Sequence, residues 1–202
     1  MMNVVFLKRF FTWAGIIILV LYLGLVIYRI PAVLEKQKTE ETVTRIHAAK
    51  LTLADVMGRN LPPAPDPALK DVTIQGIDAN GNGIRDDVEL AIFEKYPDSA
   101  RVRAALLQYA KALQMELTQV FNSETLVAAI QEEDRSYFCL NNYYGENLEQ
   151  SFDTDIKTLE NLVFNTSERK NRYDSIYRDY MTSYGDIEEK SKCDVDSSLL
   201  EN

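Results

Sequence analysis

The sequence predicts a mostly α-helical protein, with an N-terminal transmembrane helix followed by a small helical bundle. Two observations carry this prediction. Residues 10–28 contain no charged side chain. Beyond residue 86, apolar residues recur every three or four positions, as they do along one face of an α-helix. Without the apolar segment, the chain of 202 residues is still long enough for one ordinary domain with its own core.

Residues 10–29 are the predicted membrane anchor. As an α-helix, the uncharged run spans about 28 Å, which is close to the thickness of a bilayer's hydrocarbon core. Trp13 and Tyr28 suit the two membrane interfaces. A cleaved signal peptide is the alternative, but the run is longer than a typical signal core and residues 30–32 make a poor cleavage site. We therefore expect an uncleaved anchor in the bilayer, with residues 1–9 as a cytoplasmic lead.

Charge is distributed unevenly along the chain. Three of the 22 basic residues, Lys8, Arg9 and Arg29, flank the anchor. The remaining 19 basic residues and all 31 acidic residues follow Arg29, so the net charge beyond the anchor is −12. Such a surface repels phosphate backbones and anionic lipid headgroups. We therefore expect no nucleic-acid partner.

Residues 30–60 are predicted to form a stalk and then a juxtamembrane amphipathic helix. Mixed charge without an apolar stripe marks residues 35–42 as a solvated stalk. The stripe that follows, from Val43 to Met57, ends at a glycine. His47, the only histidine, has no histidine, cysteine or serine nearby with which to form a site, so we interpret it as a surface residue.

Residues 61–77 are predicted to be a linker. Four of the six prolines fall within residues 62–67, and this composition favours an extended, semi-rigid course. Polar and apolar residues alternate briefly over residues 71–77, which predicts a short extended segment.

Residues 78–89 carry the sharpest chemical signal in the chain. Oxygen-bearing side chains occupy positions one, three, five, nine and twelve of this run, and a glycine occupies position six. A single loop needs this spacing to surround a hard cation such as Ca²⁺ with oxygen ligands. The predicted ligands are the side chains of Asp78, Asn80, Asn82, Asp86 and Glu89 and the backbone carbonyl of Ile84.

These twelve residues resemble an EF-hand loop, and resemble more closely the related loops of thrombospondin type 3 repeats and of other bacterial extracytoplasmic proteins. The chain departs from the EF-hand at Arg85, where a large aliphatic residue usually bridges to a paired loop, and it contains no second loop of this kind. The resemblance therefore implies one static site rather than a sensor that opens two helices. With three carboxylates in the ligand set, we expect weak binding, with a dissociation constant of roughly 10⁻⁴ to 10⁻³ M.

An alternative explanation needs no metal. Asn80-Gly81 and Asn82-Gly83 are tight-turn dipeptides, and acidic residues at 86–89 suit the N-terminus of a helix. This explanation accounts for each residue separately, but not for the five oxygen positions together. We therefore favour calcium.

Residues 86–185 are predicted to be the helical domain. A short helix ends before Pro97, Ser99 caps a longer one, and Asn122-Ser123 opens a third. A fourth and a fifth helix are predicted around Ile156 and Tyr177.

Several polar features of this domain receive ordinary interpretations. The tyrosines of the fifth helix are interpreted as core residues whose hydroxyls reach a wet edge. Residues 132–134 (Glu-Glu-Asp) are interpreted as solvated charge. Residues 186–202 are predicted to be a flexible tail.

Two cysteines, Cys139 and Cys193, are too few for a disulfide scaffold and too far apart for a zinc knuckle. Either they form one bridge between the third predicted helix of the domain and the tail, or they are unrelated thiols. We expect the bridge in an oxidising compartment, where closing such a loop stabilises the fold by about 4 kcal/mol in the chain-entropy model.

These features together predict a membrane-anchored, extracytoplasmic calcium-binding protein in which calcium has a structural role. A count of the bases that flank the anchor favours the opposite topology, but a short lead carrying Lys8 and Arg9 is typical of a signal anchor. A weak calcium loop also suits a calcium-rich compartment. We therefore expect a bacterial inner-membrane protein whose C-terminal domain lies in the periplasm.

Two other classes of function remain open. A calcium-dependent interaction module would present a helix face to an envelope protein partner. An enzyme is the weakest option, because the sequence has no phosphate-binding glycine loop, nucleophile elbow or metal-hydrolase helix.

Overall fold

The computed structural model describes residues 4–144, 149–182 and 193–200. Within these residues the protein is mostly helical and contains no β-strand. Two compact units are present, Met1–Glu41 and Thr42–Asn202. The helices are α1 (Val4–Ala48), α2 (Leu53–Val56), α3 (Asp86–Lys95), α4 (Ala100–Gln119), α5 (Ser123–Tyr144), α6 (Glu149–Val163) and α7 (Ser167–Tyr180), followed by a 3₁₀ turn at Ser197–Leu199.

The first unit consists of most of α1. Of the described helices, α1 alone is long and apolar enough to cross a membrane by length and composition. Its large apolar side chains from Phe10 to Leu34 are exposed. The helix continues through Pro31 and through residues 35–42, where the sequence predicted a separate stalk.

In the second unit, the predicted amphipathic helix over residues 43–57 is divided in two. Helix α1 ends at Ala48, and the short helix α2 begins only after Thr52. Thr52 and Asp55 form a reciprocal capping box, in which each side chain accepts a hydrogen bond from the other residue's backbone N–H. The capping box therefore starts a new helix at residue 53. The apolar spacing alone predicted one continuous helix over residues 43–57.

Helix α4 is the centre of the second unit, because it contacts α2, α3, α5, α6 and α7. Its alanines, among them Ala104, Ala105 and Ala112, are buried and allow close approach of neighbouring helices on more than one side. Ser99 caps the helix by accepting a hydrogen bond from the backbone N–H of Val102, as the sequence predicted.

Buried arginines hold the irregular segment between α2 and α3. Arg169 of α7 is fully buried, and its guanidinium donates hydrogen bonds to the backbone carbonyls of Lys70, Thr73 and Ile74. This cluster of carbonyls around one cation explains why residues 71–75 form a turn and bends instead of the predicted extended segment.

The C-terminal residues 193–200 pack onto the domain. Cys193 forms a disulfide with Cys139 of α5, and Val195 and Leu200 are buried. Asp194 accepts hydrogen bonds from the Leu51 backbone N–H and from the Arg135 side chain. The prediction of a flexible tail is therefore wrong for residues 193–200, and the rest of that prediction lies outside the described residues.

Candidate metal centre

The loop at residues 78–85 is wound around the carboxylate of Asp78. Asp78 Oδ1 accepts hydrogen bonds from the backbone N–H groups of Gly81 at 2.9 Å and Asn82 at 3.2 Å, and Oδ2 accepts one from Gly83 at 2.9 Å. Gly81 and Gly83 have φ angles of 72° and 88°, which glycine adopts at little cost. The two glycines therefore allow the tight coil that the spacing of oxygen ligands requires.

Asn82 stabilises the turn of the loop itself, and Asn80 links the loop to its surroundings. Asn82 Oδ1 accepts a hydrogen bond from the Ile84 backbone N–H at 2.8 Å. Asn80 Nδ2 donates to Glu89 Oε2 at 3.0 Å and to the carbonyl oxygen of Asn60 at 2.7 Å. Asn80 thus presents its amide nitrogen, not its oxygen, to the glutamate at position twelve of the motif.

Helix α3 closes the loop through its first residue. The backbone N–H of Asp86 donates to the carbonyl of Ile77 at 2.8 Å, and Asp86 Oδ1 accepts from the N–H of Ala79 at 2.9 Å. The side chain of Ile84 is buried in the core. The hydrogen bonds of Asp86 therefore tie the two ends of the loop together, and the side chain of Ile84 packs the loop onto the core.

Two carboxylate oxygens in this centre have no hydrogen-bond donor among the described residues. They are Asp86 Oδ2 and Glu89 Oε1, and both side chains are almost completely buried. Burial raises the pKa of Glu89 to about 7, although the amide side chains of Asn80 and Asn82 act to lower it. The buried Nδ2 of Asn82 also has no hydrogen-bond partner among the described residues. Burial, together with the negative charges of Asp78 and Asp87, also raises the pKa of Asp86. Such unpaired buried oxygens carry a desolvation cost that a bound cation would offset.

The residues present fit Ca²⁺ by chemistry, because all the predicted ligand atoms are oxygens. The structure brings Asp78, Asn80, Asn82, Asp86 and Glu89 into one hydrogen-bonded group with the loop backbone. Within the described residues, however, no group of three or more His, Cys, Asp or Glu side chains is arranged to hold a metal ion. Both oxygens of Asp78 accept hydrogen bonds from the loop's own amides, and two of the five side chains are asparagines.

Arg85 has a structural partner that its position in the motif did not indicate. Its side chain is buried and forms an ion pair with Asp87. It also donates to the carbonyl oxygens of Leu162 at 2.7 Å and Val163 at 3.1 Å, at the C-terminal end of α6. A Cβ added to Gly76 would lie 2.3 Å from Arg85 Cδ, so Gly76 makes room for this side chain. Arg85 therefore docks the loop onto the helical bundle.

Several charged residues outside the motif are buried, and sequence analysis missed them. Glu132, interpreted from the sequence as solvated, accepts hydrogen bonds from His47 at 2.9 Å, Lys50 at 3.0 Å and Arg135 at 2.6 Å. Lys111 lies over the loop, because a Cβ at Gly83 would be 3.2 Å from Lys111 Cε. The local sequence pattern does not reveal the burial of Glu132, since its partners His47 and Lys50 are 85 and 82 residues away in sequence.

Comparisons of the chain with family models, with curated proteins and with solved structures give no match.

Proposed function

We propose that this protein is a membrane-anchored calcium-binding protein, and that Ca²⁺ bound at residues 78–89 has a structural role. The observation that carries the proposal is the pair of buried carboxylate oxygens, Asp86 Oδ2 and Glu89 Oε1, that lack a donor among the described residues. They belong to positions nine and twelve of a loop whose remaining ligands are also oxygens.

The role is structural because of what the loop joins. The loop leads directly into α3, and Arg85 attaches it to the end of α6. Ca²⁺ held by Asp78, Asn80, Asn82, Asp86, Glu89 and the Ile84 carbonyl would neutralise the buried carboxylates and fix the entry into the bundle. Binding to the folded state alone stabilises it by mass action.

Thermal unfolding of the full-length chain in detergent micelles tests the calcium site. For the dissociation constant expected above, about 10 mM Ca²⁺ should add between about 1.4 and about 2.7 kcal/mol to the free energy of unfolding, which raises Tm by several degrees. Glu89→Gln should keep the fold, since it places a neutral group in a buried site, and should abolish the calcium shift. Glu94→Gln, on the exposed side of α3, is the matched control and should keep it.

Two results would contradict this proposal. One is no Tm shift in the parent protein at this calcium concentration. The other is an equal shift for Glu89→Gln and Glu94→Gln, which would place calcium elsewhere on the acidic surface. Mg²⁺ at the same concentration should give a smaller shift, because it tolerates an irregular ligand set less well.

We infer that α1 anchors the protein in a bacterial inner membrane through residues 10–29, with the second unit in the periplasm. The length and hydropathy of α1 support the anchor. The disulfide between Cys139 and Cys193 supports an oxidising compartment. Protease added to spheroplasts should digest the second unit, and should leave it intact if the unit is cytoplasmic.

A further inference from the structure

A polar cleft of about 670 Å³ lies beside the loop. Its walls come from the end of α1, the segment between α1 and α3, and one face of α4. Amide side chains, including those of Asn60, Gln114 and Gln119, supply both hydrogen-bond donors and acceptors. The volume falls within the range typical of small-molecule sites.

Lys111 differs from the other charged residues of the lining because it is buried without a close partner among the described residues. It projects from α4, its exposed fraction is 6%, and no described residue forms a hydrogen bond or an ion pair with it. Burial lowers the pKa of the Lys111 ammonium, and the negative charges of Asp194, Asp55 and Asp78 offset this effect only in part. A buried ammonium without a close counterion carries a desolvation cost.

The three nearby carboxylates are occupied by other donors. Asp55 accepts hydrogen bonds from Thr52 and Asn60. Asp78 accepts from the loop amides, as described above. Asp194 pairs with Arg135 at 2.5 Å. The ammonium of Lys111 therefore faces the cleft as a cation whose charge is available to a ligand.

The charge of the lining limits the ligand. Three basic residues, Arg45, Lys50 and Lys111, and two acidic residues, Asp55 and Asp78, line the cleft. Lys50 is already paired with Glu132 at 3.0 Å, so the lining carries no large excess of either charge. A polyphosphate or a nucleic-acid backbone would bring several negative charges against those two carboxylates. A single carboxylate balances the charge of the Lys111 ammonium, and the amide side chains of the walls suit hydroxyl or amide groups on the same ligand.

We propose that this cleft binds a small organic acid, in which one carboxylate pairs with Lys111 and hydroxyl or amide groups bond to the amide walls. Two sources offer this chemistry, a sugar acid and the C-terminus of a short peptide. The proposal does not rest on calcium binding, because Lys111 is available to the cleft without it. Calcium at the neighbouring loop would add positive charge and strengthen the binding of an anion.

Calorimetric titration of the full-length chain in detergent micelles tests the proposal with two matched pairs of probes. D-glucuronate is compared with D-glucose, and N-acetylglycylglycine with its C-terminal amide. In each pair the second compound lacks the carboxylate. At least one acid should bind saturably, and its neutral counterpart should bind at least about tenfold more weakly. Which acid binds distinguishes the two sources.

Variants locate the binding. Lys111→Met keeps the length and bulk of the side chain and should weaken binding of the acid at least about tenfold. Lys157→Met, at an exposed position of α6, should leave it unchanged. Thr118→Glu adds a negative charge at the exposed mouth of the cleft and should also weaken binding, which provides a test that does not disturb the core.

The proposal is overturned if neither acid binds below about 10 mM, if the neutral compounds bind equally well, or if Lys111→Met binds as the parent does. Repeating the titrations in EDTA and in calcium separates the two proposals. Binding in EDTA that depends on Lys111 supports the acid site even where the calcium shift fails.

Discussion

The guanidinium of Arg85 lies at the C-terminal end of α6, where Nη1 donates a hydrogen bond to the carbonyl oxygen of Val163 at 3.1 Å. Carbonyl groups at the end of a helix lack intrahelical donors and carry partial negative charge. Arg85 donates hydrogen bonds to them while it pairs with Asp87 in the first turn of α3. The residue that departs from the EF-hand pattern is thus the one that joins the loop to the bundle.

Arg85→Met should therefore destabilise the protein even though methionine is closer to the aliphatic residue of an EF-hand. The substitution leaves Asp87 and the α6 carbonyls without this buried donor, at a cost of about 3 kcal/mol. Chemical denaturation of the full-length protein in micelles measures the change. Lys95→Met breaks an exposed ion pair with Asp155 and should cost less than about 1 kcal/mol. Equal losses for the two variants would contradict a docking role for Arg85.

Asn80→Asp should make stability more dependent on calcium. In the absence of the ion, the substitution removes the donor to Glu89 Oε2 and to the Asn60 carbonyl and places negative charge against both, at a cost of roughly 1 to 3 kcal/mol. With calcium, the added carboxylate raises the charge of the ligand set and should tighten binding about tenfold.

To test Asn80→Asp, Tm is measured by thermal unfolding once in EDTA and once in calcium. The difference between the two conditions should exceed that of the parent protein. Asn171→Asp, on the exposed surface of α7, controls for the change in net charge and should leave the difference unaltered. A calcium shift that stays at the parent's value in Asn80→Asp would argue against Asn80 as a ligand.

Glu132 should contribute stability that is lost in acid. Burial alone would raise its pKa, but the hydrogen bonds from His47 and Lys50 and the charge of Arg135 outweigh burial and hold the pKa at about 2. The pKa of a glutamate in an unfolded chain is about 4.3, which is roughly two units above the folded value. Between these two values the unfolded state binds more protons, so stability falls as the pH drops.

Glu132→Gln should accordingly cost roughly 3 kcal/mol at neutral pH, and the loss should shrink as the pH falls from about 4 to about 2. Denaturation at a series of pH values checks this dependence. Glu94→Gln, on the exposed side of α3, should show no comparable change with pH. A deficit for Glu132→Gln that is constant over the acid range would show that its charge is not the cause.

Helix positions in the second unit could be predicted from the sequence because their signals are local. Pro97 follows α3, Ser99 caps α4, and α5 begins at Ser123, each within a residue or two of the predicted boundary. The period of apolar residues likewise marked the helix faces that pack in the core. The two helices α1 and α2 were harder to separate, since a capping box interrupts an otherwise continuous stripe.

Several partners of the buried charges could not be predicted, because they come from distant parts of the chain. Arg85 contacts a carbonyl 77 residues away, and Arg169 pairs with an aspartate 98 residues away. An arginine or glutamate within a polar stretch looks the same whether its partner is water or a buried group. The oxygen spacing of residues 78–89 was visible in sequence, whereas the importance of Lys111 depends on how α4 packs over the loop.

Glu116 provides the opposite pH dependence to Glu132. It lies fully buried on α4, where Oε2 accepts a hydrogen bond from the Tyr177 hydroxyl at 3.2 Å. Burial, followed by the negative charge of Glu133, raises its pKa well above the usual range. The folded state therefore keeps this proton at pH values where the unfolded chain has released it. The contribution of Glu116 to stability is full below about pH 4.3 and is lost as the pH rises through the folded pKa.

Glu116→Gln should then be more stable than the parent protein at about pH 8, because glutamine keeps the neutral, hydrogen-bonding form without a proton to lose. The advantage should decrease toward about pH 4.5, where the glutamate is largely neutral in both states. Thermal unfolding across this range measures it, and Glu124→Gln, at an exposed position early in α5, is the matched control. A destabilised Glu116→Gln at alkaline pH would mean that a partner holds the buried carboxylate in its charged form.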